Sequence, residues 1–256
     1  MSTLSYTLAD SATMLRRNLV HAKRYPALTI GVLVMPVLLL LMFNYVFGGA
    51  LGKAIEGNYV DYLVPGMMLM IPAYLIVSVA VGVASDMTKG IVNRFRTMPM
   101  SHSAILTGQV VGTVIQGLLG VAGMVAVGVL IGFRPHAGVL GWLGAFGLIA
   151  LVMFALTWLG AGFGLAASTP ESASNTPTVI VFLPFLGSGL VPTDTMPTGV
   201  RHFAEYQPFT PLTETLRGLL MGGPVASHAV VAIAWCVGIT VVGYVWSVTL
   251  FRRKTR

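Results

Sequence analysis

Six long apolar runs, at about 27–47, 62–84, 104–133, 139–167, 176–191 and 228–251, take up most of this 256-residue chain. They constrain the fold more than any other feature. A run of about 20 apolar residues, rising about 1.5 Å per residue as a helix, matches a hydrocarbon core about 30 Å thick. Only 9% of the residues are charged and 55% are hydrophobic, whereas a soluble domain carries roughly 25% charged residues. A closed β-barrel would also satisfy its backbone in lipid, but it needs alternating strands of about ten residues, and these runs are continuous. The expected fold is all-α and membrane-integral, a single transmembrane domain over 1–256. It comprises an interfacial helix (1–26), a six-span bundle (27–251) and a basic tail (252–256). The fifth run is short and interrupted by Pro184, Gly187 and Gly189. It is tilted, broken, or completed by the polar stretch that follows.

Charge sets the expected orientation. With both termini in the cytoplasm, the inner segments hold Arg16, Arg17, Lys23, Arg24, Lys89, Arg94, Arg96, Arg252, Arg253, Lys254 and Arg256. Only Lys53, Arg134, Arg201 and Arg217 fall outside. The opposite orientation would invert the rule that basic residues stay inside. The first 26 residues place Leu4, Leu8, Ala12, Leu15 and Leu19 on one helical face beside those cations. That pattern suits a helix lying in the headgroup layer, or a simple basic anchor. No apolar stretch precedes a small-residue cleavage site, so no cleavable signal peptide is expected. Outside, 192–227 is broken at Pro192, Pro197, Pro208 and Pro211 and carries the stripe Leu212, Leu216, Leu219, Leu220. It reads as two short amphipathic helices dipping back into the outer leaflet.

Most chemistries lack their residues. No Gly-x-x-x-x-Gly-Lys-Ser/Thr loop occurs, so ATP binding by that route is not expected. The five histidines are scattered, and Cys236 is alone, so neither a metal site nor a disulfide is expected. None of the eight acidic residues lies near the middle of a run, which weighs against a proton-coupled pump. Energy must therefore enter from a partner or from the substrate's own gradient.

One inner segment offers a surface for such a partner. In 86–99, Asp86 can cap a helix and Pro99 ends it. Ile91, Phe95 and Met98 share one face, and Lys89, Arg94 and Arg96 surround that face. On the residues alone it is either a docking helix or a charged helix that enforces topology. A second inner turn, 168–175, carries Glu171.

These features resemble a permease of the ABC type-2 exporter family, in its daunorubicin-resistance-like branch. The resemblance covers nearly the whole chain and is carried by two segments. The first inner loop has the family's acid, glycine, basic residue and closing proline at Asp86, Gly90, Arg94 and Pro99. The second is similar to the family's small-residue run and its continuation: Phe185, Gly187, Ser188, Gly189 and Pro192, then Gln207, Pro208, Leu212, Thr213, Arg217 and Gly218. The resemblance implies a permease in the bacterial cytoplasmic membrane, paired with a second copy or a sister permease and driven by a separate ABC ATPase. ATP and magnesium would be bound by that ATPase and no cofactor by this chain. Asp86, Gly90, Ile91, Arg94, Phe95, Pro99 and Glu171 would dock on the ATPase. Gly187, Gly189, Pro192, Pro208 and Arg217 would belong to an outer gate.

The implied cargo is a hydrophobic or amphipathic small molecule of the drug or antibiotic kind, exported along a seam. Met35, Phe43, Met68, Phe182 and Phe185 are candidate lining residues, each equally able to pack against a neighbouring helix. A glycolipid or lipid-linked polysaccharide permease is the nearest alternative. Against it, the four tryptophans, Trp142, Trp158, Trp235 and Trp246, form no sugar-binding stripe. A passive channel or scaffold would not need a docking helix. Nothing in the chain points to nucleic acid; its surroundings are lipid.

Overall fold

The computed structural model describes residues 26–52, 55, 57–88 and 102–254. The interfacial helix expected before residue 26 lies outside them, as do Gly90, Ile91, Arg94, Phe95 and Pro99. Among the described residues all regular structure is helical. Helix α1 (Pro26–Met42) runs on through a π turn (Phe43–Phe47) and a last turn (Gly48–Leu51). Then come α2 (Tyr59–Met68), α3 (Met70–Thr88), α4 (His102–Leu130) and α5 (Val139–Ala166). They are followed by α6 (Pro170–Phe182), α7 (Thr198–Tyr206), α8 (Phe209–Met221) and α9 (Ala226–Lys254). Among the described residues, five stretches are long and apolar enough to cross a bilayer: Leu33–Leu51, Tyr59–Thr88, Val110–Leu130, Val139–Ala166 and Ala226–Lys254. The chain is a multi-pass membrane protein.

The run expected at 176–191 is not a single helix. Helix α6 stops at Phe182, a 3-10 turn covers Leu183–Leu186, and the backbone beyond it is irregular until Thr193. Pro184 withholds an amide from the ladder, and Gly187 and Gly189 favour other conformations than helix. Prolines also break the second run. Pro72 cannot donate to the carbonyl of Met68, and at Leu69 the ladder tightens, its N–H reaching Gly66 at 3.2 Å. One apolar run thus becomes two helices, α2 and α3.

Small residues let the helices approach closely. A Cβ on Gly160 would lie 2.8 Å from the carbonyl oxygen of Ile76, and one on Gly164 would strike that of Ala80. A Cβ on Gly243 would lie 2.7 Å from the amide nitrogen of Leu159, and one on Gly162 would strike the ring of Trp246. Such small-xxx-small seams supply packing where lipid removes the hydrophobic drive between helices. The pairs also fix direction. Gly160 and Gly164 meet residues in ascending order, as Gly243 and Trp246 do, so α3, α5 and α9 run parallel. Helix α4 runs against them: Gly117, Gly120 and Gly128 meet Leu75, Ile71 and Val64 in descending order.

The α2–α3 pair lies at the centre. Of its most apolar window 72% is buried, against 17% for α9 and 11% for Leu33–Leu51, so α1 and α9 form the outside. The core joins Leu63, Met67, Ile71 and Ile76 to Met124, Ile149 and Met153, and to Leu212, Leu216 and Leu220 of α8. The molecule has two distinct ends. Arg252, Arg253 and Lys254 close α9 at a basic end, where the Lys254 ammonium donates to the Ala167 carbonyl at 3.3 Å. Ala84 of α3 and Ala173 of α6 pack together there as well. At the opposite end, the Arg134 amide donates to Asp61 at 2.8 Å and the His136 amide to Leu220 at 2.9 Å.

Candidate functional site

Two groups of candidate residues are brought together, at different levels of the bundle. The first surrounds the irregular backbone after α6. There the chain presses on α2 so closely that a Cβ on Gly66 would strike the Gly189 carbonyl. Gly66 lies seven residues into α2, about 10 Å along a helix axis. Non-helical backbone at that depth has no water to pair with and must be satisfied by protein. Side chains from α2, from α8 and from Gln207 at the end of α7 do so. The Arg217 guanidinium donates through Nη2 to the Ser188 carbonyl at 2.9 Å and to the Tyr62 carbonyl at 3.3 Å. The Tyr62 hydroxyl donates to the same Ser188 oxygen at 2.8 Å, and the Tyr59 hydroxyl to Leu190 at 3.3 Å. Gln207 donates through Nε2 to Leu183 at 3.0 Å. The Ser188 amide donates to the Thr210 hydroxyl at 3.3 Å, which in turn donates to the Ala204 carbonyl.

Arg217 is the hub. Its Nη1 lies 2.6 Å from Glu214, one helical turn earlier, with side-chain exposures of 16% and 29%. Its Cζ lies 3.6 Å from the centroid of the Tyr62 ring, a cation–π contact strengthened by partial desolvation. A planar fork suits this task, because one group reaches a carboxylate, two carbonyls and a ring face. Ser188 Oγ, Gln207 Oε1 and Arg217 Nε are buried without a partner among the described residues. Gly187 is fixed by the same contacts, since a Cβ there would lie 2.9 Å from the Thr210 hydroxyl. Of the expected gate residues, Gly187, Gly189 and Arg217 therefore meet, Pro208 caps α8, and Pro192 leads into the turn Thr193–Thr195.

The second group lies at the basic end. Asp86 lies in the last turn of α3 and Glu171 in the first turn of α6. Each stands two residues from a member of the Ala84–Ala173 contact, so two of the expected docking residues share one end. Helix α6 starts with a capping box: the Thr169 hydroxyl accepts from the Ser172 amide at 3.2 Å, and the Ser172 hydroxyl accepts from the Thr169 amide at 3.1 Å. The first-turn Glu171 complements the helix dipole. Its own amide and the Thr169 hydroxyl hold its carboxyl below the usual carboxylate range.

The expected lining residues divide. Phe43, Phe182 and Phe185 form one aromatic cluster, each neighbouring pair of rings 6.5 Å apart. Phe182 is 58% exposed and Met35 is 48% exposed, whereas Met68 is fully buried in the core. Met68 therefore packs the bundle centre. The sequence reading missed Tyr59, Tyr62 and Glu214. The spacing of Glu214 and Arg217 on one helix was a legible signal, but Tyr62 is 155 residues from Arg217 and only the fold joins them.

Comparison of the sequence with known proteins finds transporter subunits. Over 251 residues the chain is 32% identical to the daunorubicin resistance ABC transporter permease protein DrrB1 of Streptomyces coeruleorubidus, covering 96% of this chain and 88% of the relative. It is 24% identical over 238 residues to the probable doxorubicin resistance ABC transporter permease protein DrrC of Mycobacterium tuberculosis, covering 92% and 85%. Residues 11–221 match the family described as ABC-2 type transporter, and with four-fifths of its length in that match the chain belongs to the ABC-2 type transporter family.

Proposed function

We propose that this chain is the membrane subunit of an ATP-driven exporter that carries hydrophobic or amphipathic small molecules outward across the bacterial cytoplasmic membrane. The observation that carries the reading is the similarity to a daunorubicin resistance permease along 96% of the chain. The basic end faces the cytoplasm, in keeping with the preference of cations for that side. Helices α3, α5 and α9 run parallel, so the chain must return once between α5 and α9. Helix α6 with its irregular continuation makes that return as a sixth crossing. Helices α7 and α8 form the outer re-entrant piece, tied to α2 through Arg217.

In this reading the 86–99 segment and the Glu171 turn dock on a separate ABC ATPase. Two permeases, identical or sister, pair around the cargo path, with Phe43, Phe182 and Phe185 on its wall. ATP-driven closure of the ATPases shifts a two-state bundle by differential contact at the docking segments. The test is the ATPase activity of a complex purified with a candidate ABC ATPase co-expressed from the same source, in nanodiscs, with and without Arg94→Glu. Activity that requires the permease and falls at least tenfold in the variant supports the reading. Failure of the two proteins to associate overturns it.

A further inference from the structure

We propose that the basic end carries a binding site for one anionic phospholipid of the adjacent leaflet, built by α5, α6 and α9. A cavity of about 360 Å³ opens there, walled by Phe163, Ala167, Ser168, Ser172, Thr176 and Trp246. The Trp246 ring is fixed edge-on against Phe163, centroids 5.0 Å apart, and by its tight approach to Gly162. Hydroxyls on one wall and aromatic rings on the other suit an amphiphile at a membrane interface, where tryptophan is favoured.

Charge selects an anion. The Lys254 ammonium donates to the carbonyl of the wall residue Ala167 at 3.3 Å, which leaves two of its three N–H donors for a phosphate. Arg252 and Arg253 stand on the same turn. Among the described residues this end sets Arg252, Arg253 and Lys254 against the carboxylates of Asp86 and Glu171, so the local balance stays positive. An apolar stripe continues the site: Trp246 also borders Val241, Val242, Val245 and Thr249 on the outer face of α9. From Lys254 to Val241 is about 20 Å along the helix, enough for a headgroup, a glycerol and one acyl chain within a single leaflet. The phosphate sits by Lys254, the glycerol lies among the hydroxyls, and the chain follows the stripe.

The test needs no ATPase and stands apart from the transport reading. The purified chain is reconstituted in phosphatidylcholine vesicles containing a minor fraction of phosphatidylglycerol, with one of the two lipids brominated on its acyl chains. Quenching of Trp246, taken as the difference from Trp246→Phe, should show a several-fold preference for brominated phosphatidylglycerol. Lys254→Glu should lower that preference about fivefold or more, the effect of about one basic residue at an anionic surface. Thr176→Phe, which fills the cavity and leaves the charge unchanged, should remove it. Quenching by brominated phosphatidylcholine should stay constant in both variants and reports that the bundle is intact. Equal quenching of the unaltered chain by both lipids overturns the proposal. So does a preference that survives Thr176→Phe, because diffuse surface attraction then accounts for it. Displacement of the lipid by a neutral aromatic solute but not by excess phosphatidylglycerol would overturn it as well, marking the cavity as a cargo site.

Discussion

At the scale of single residues, Arg217 has the largest consequences. It is a cation within an apolar chain, yet it joins three segments: Glu214 on its own helix, Tyr62 on α2, and the Ser188 carbonyl on the irregular backbone. Removing it leaves a carboxylate and two carbonyls short of a donor. Arg217→Met should cost about 1.5–3 kcal/mol, the range for hydrogen bonds to charged groups, read as a lower apparent melting temperature in detergent. Arg217→Lys should recover less than half of that loss, because an ammonium cannot copy the fork or the flat contact on Tyr62. If lysine restored full stability, charge alone would account for the site. Gly66→Val sets side-chain atoms against the Gly189 backbone and should cost roughly 1–3 kcal/mol by overpacking, checked by the same melt. The sequence marked Arg217 and Gly189 by their resemblance to a family pattern. It gave no reason to join them to Tyr62 or Gly66, because those partners are more than a hundred residues away.

At the scale of elements, α6 begins with strong local signals and ends without them. The sequence reads 168–175 as an inner turn, whereas the Thr169–Ser172 box and Glu171 start a helix there; Pro184 is legible as its limit. Thr169→Ala should weaken the helix by about 1 kcal/mol, seen as faster amide exchange in 170–176. The Glu171 contribution has a defined pH dependence. Its folded pKa is depressed, so its stabilising effect is present above the ordinary carboxylate pKa and lost as pH falls through the lowered value. Glu171→Gln should therefore lower the melting temperature at pH 7 and have no effect once the medium is acidic enough to protonate Glu171. The second run shows a different lesson. Its length and hydropathy read as one span, but Pro72 divides it at Leu69 into α2 and α3. Pro72→Ala supplies the missing donor to Met68 and should raise thermal stability slightly. If the break serves the conformational cycle, cargo efflux should fall in the same variant.

At the scale of the whole molecule, the parallel course of α3, α5 and α9 bears on the number of crossings. With six crossings, residue 168 and residue 198 face opposite sides. Ser168→Cys should react with an impermeant maleimide only from the cytoplasm, and Thr198→Cys only from outside. Labelling of both from one side would leave α6 and α7 on the same face and remove the sixth crossing. Cys236 is 1% exposed and should stay silent as background.

The sequence by itself determined the class of molecule. Unbroken apolar length demands helices in lipid, the distribution of basic residues distinguishes the two ends, and the glycine, proline and arginine pattern after α6 places the chain among transporters. These are local properties, readable one segment at a time, because lipid imposes the same length and backbone pairing on every span. Only the tertiary structure decided which apolar faces are interior. Met68 and Phe182 look alike in sequence, yet one is sealed in the core and the other is exposed, because apolar residues are equally at home against lipid and against protein. Only the fold, too, brought Tyr62, Ser188 and Arg217 together. Buried polar groups must find partners wherever the bundle places them, and neither composition nor periodicity records where that is.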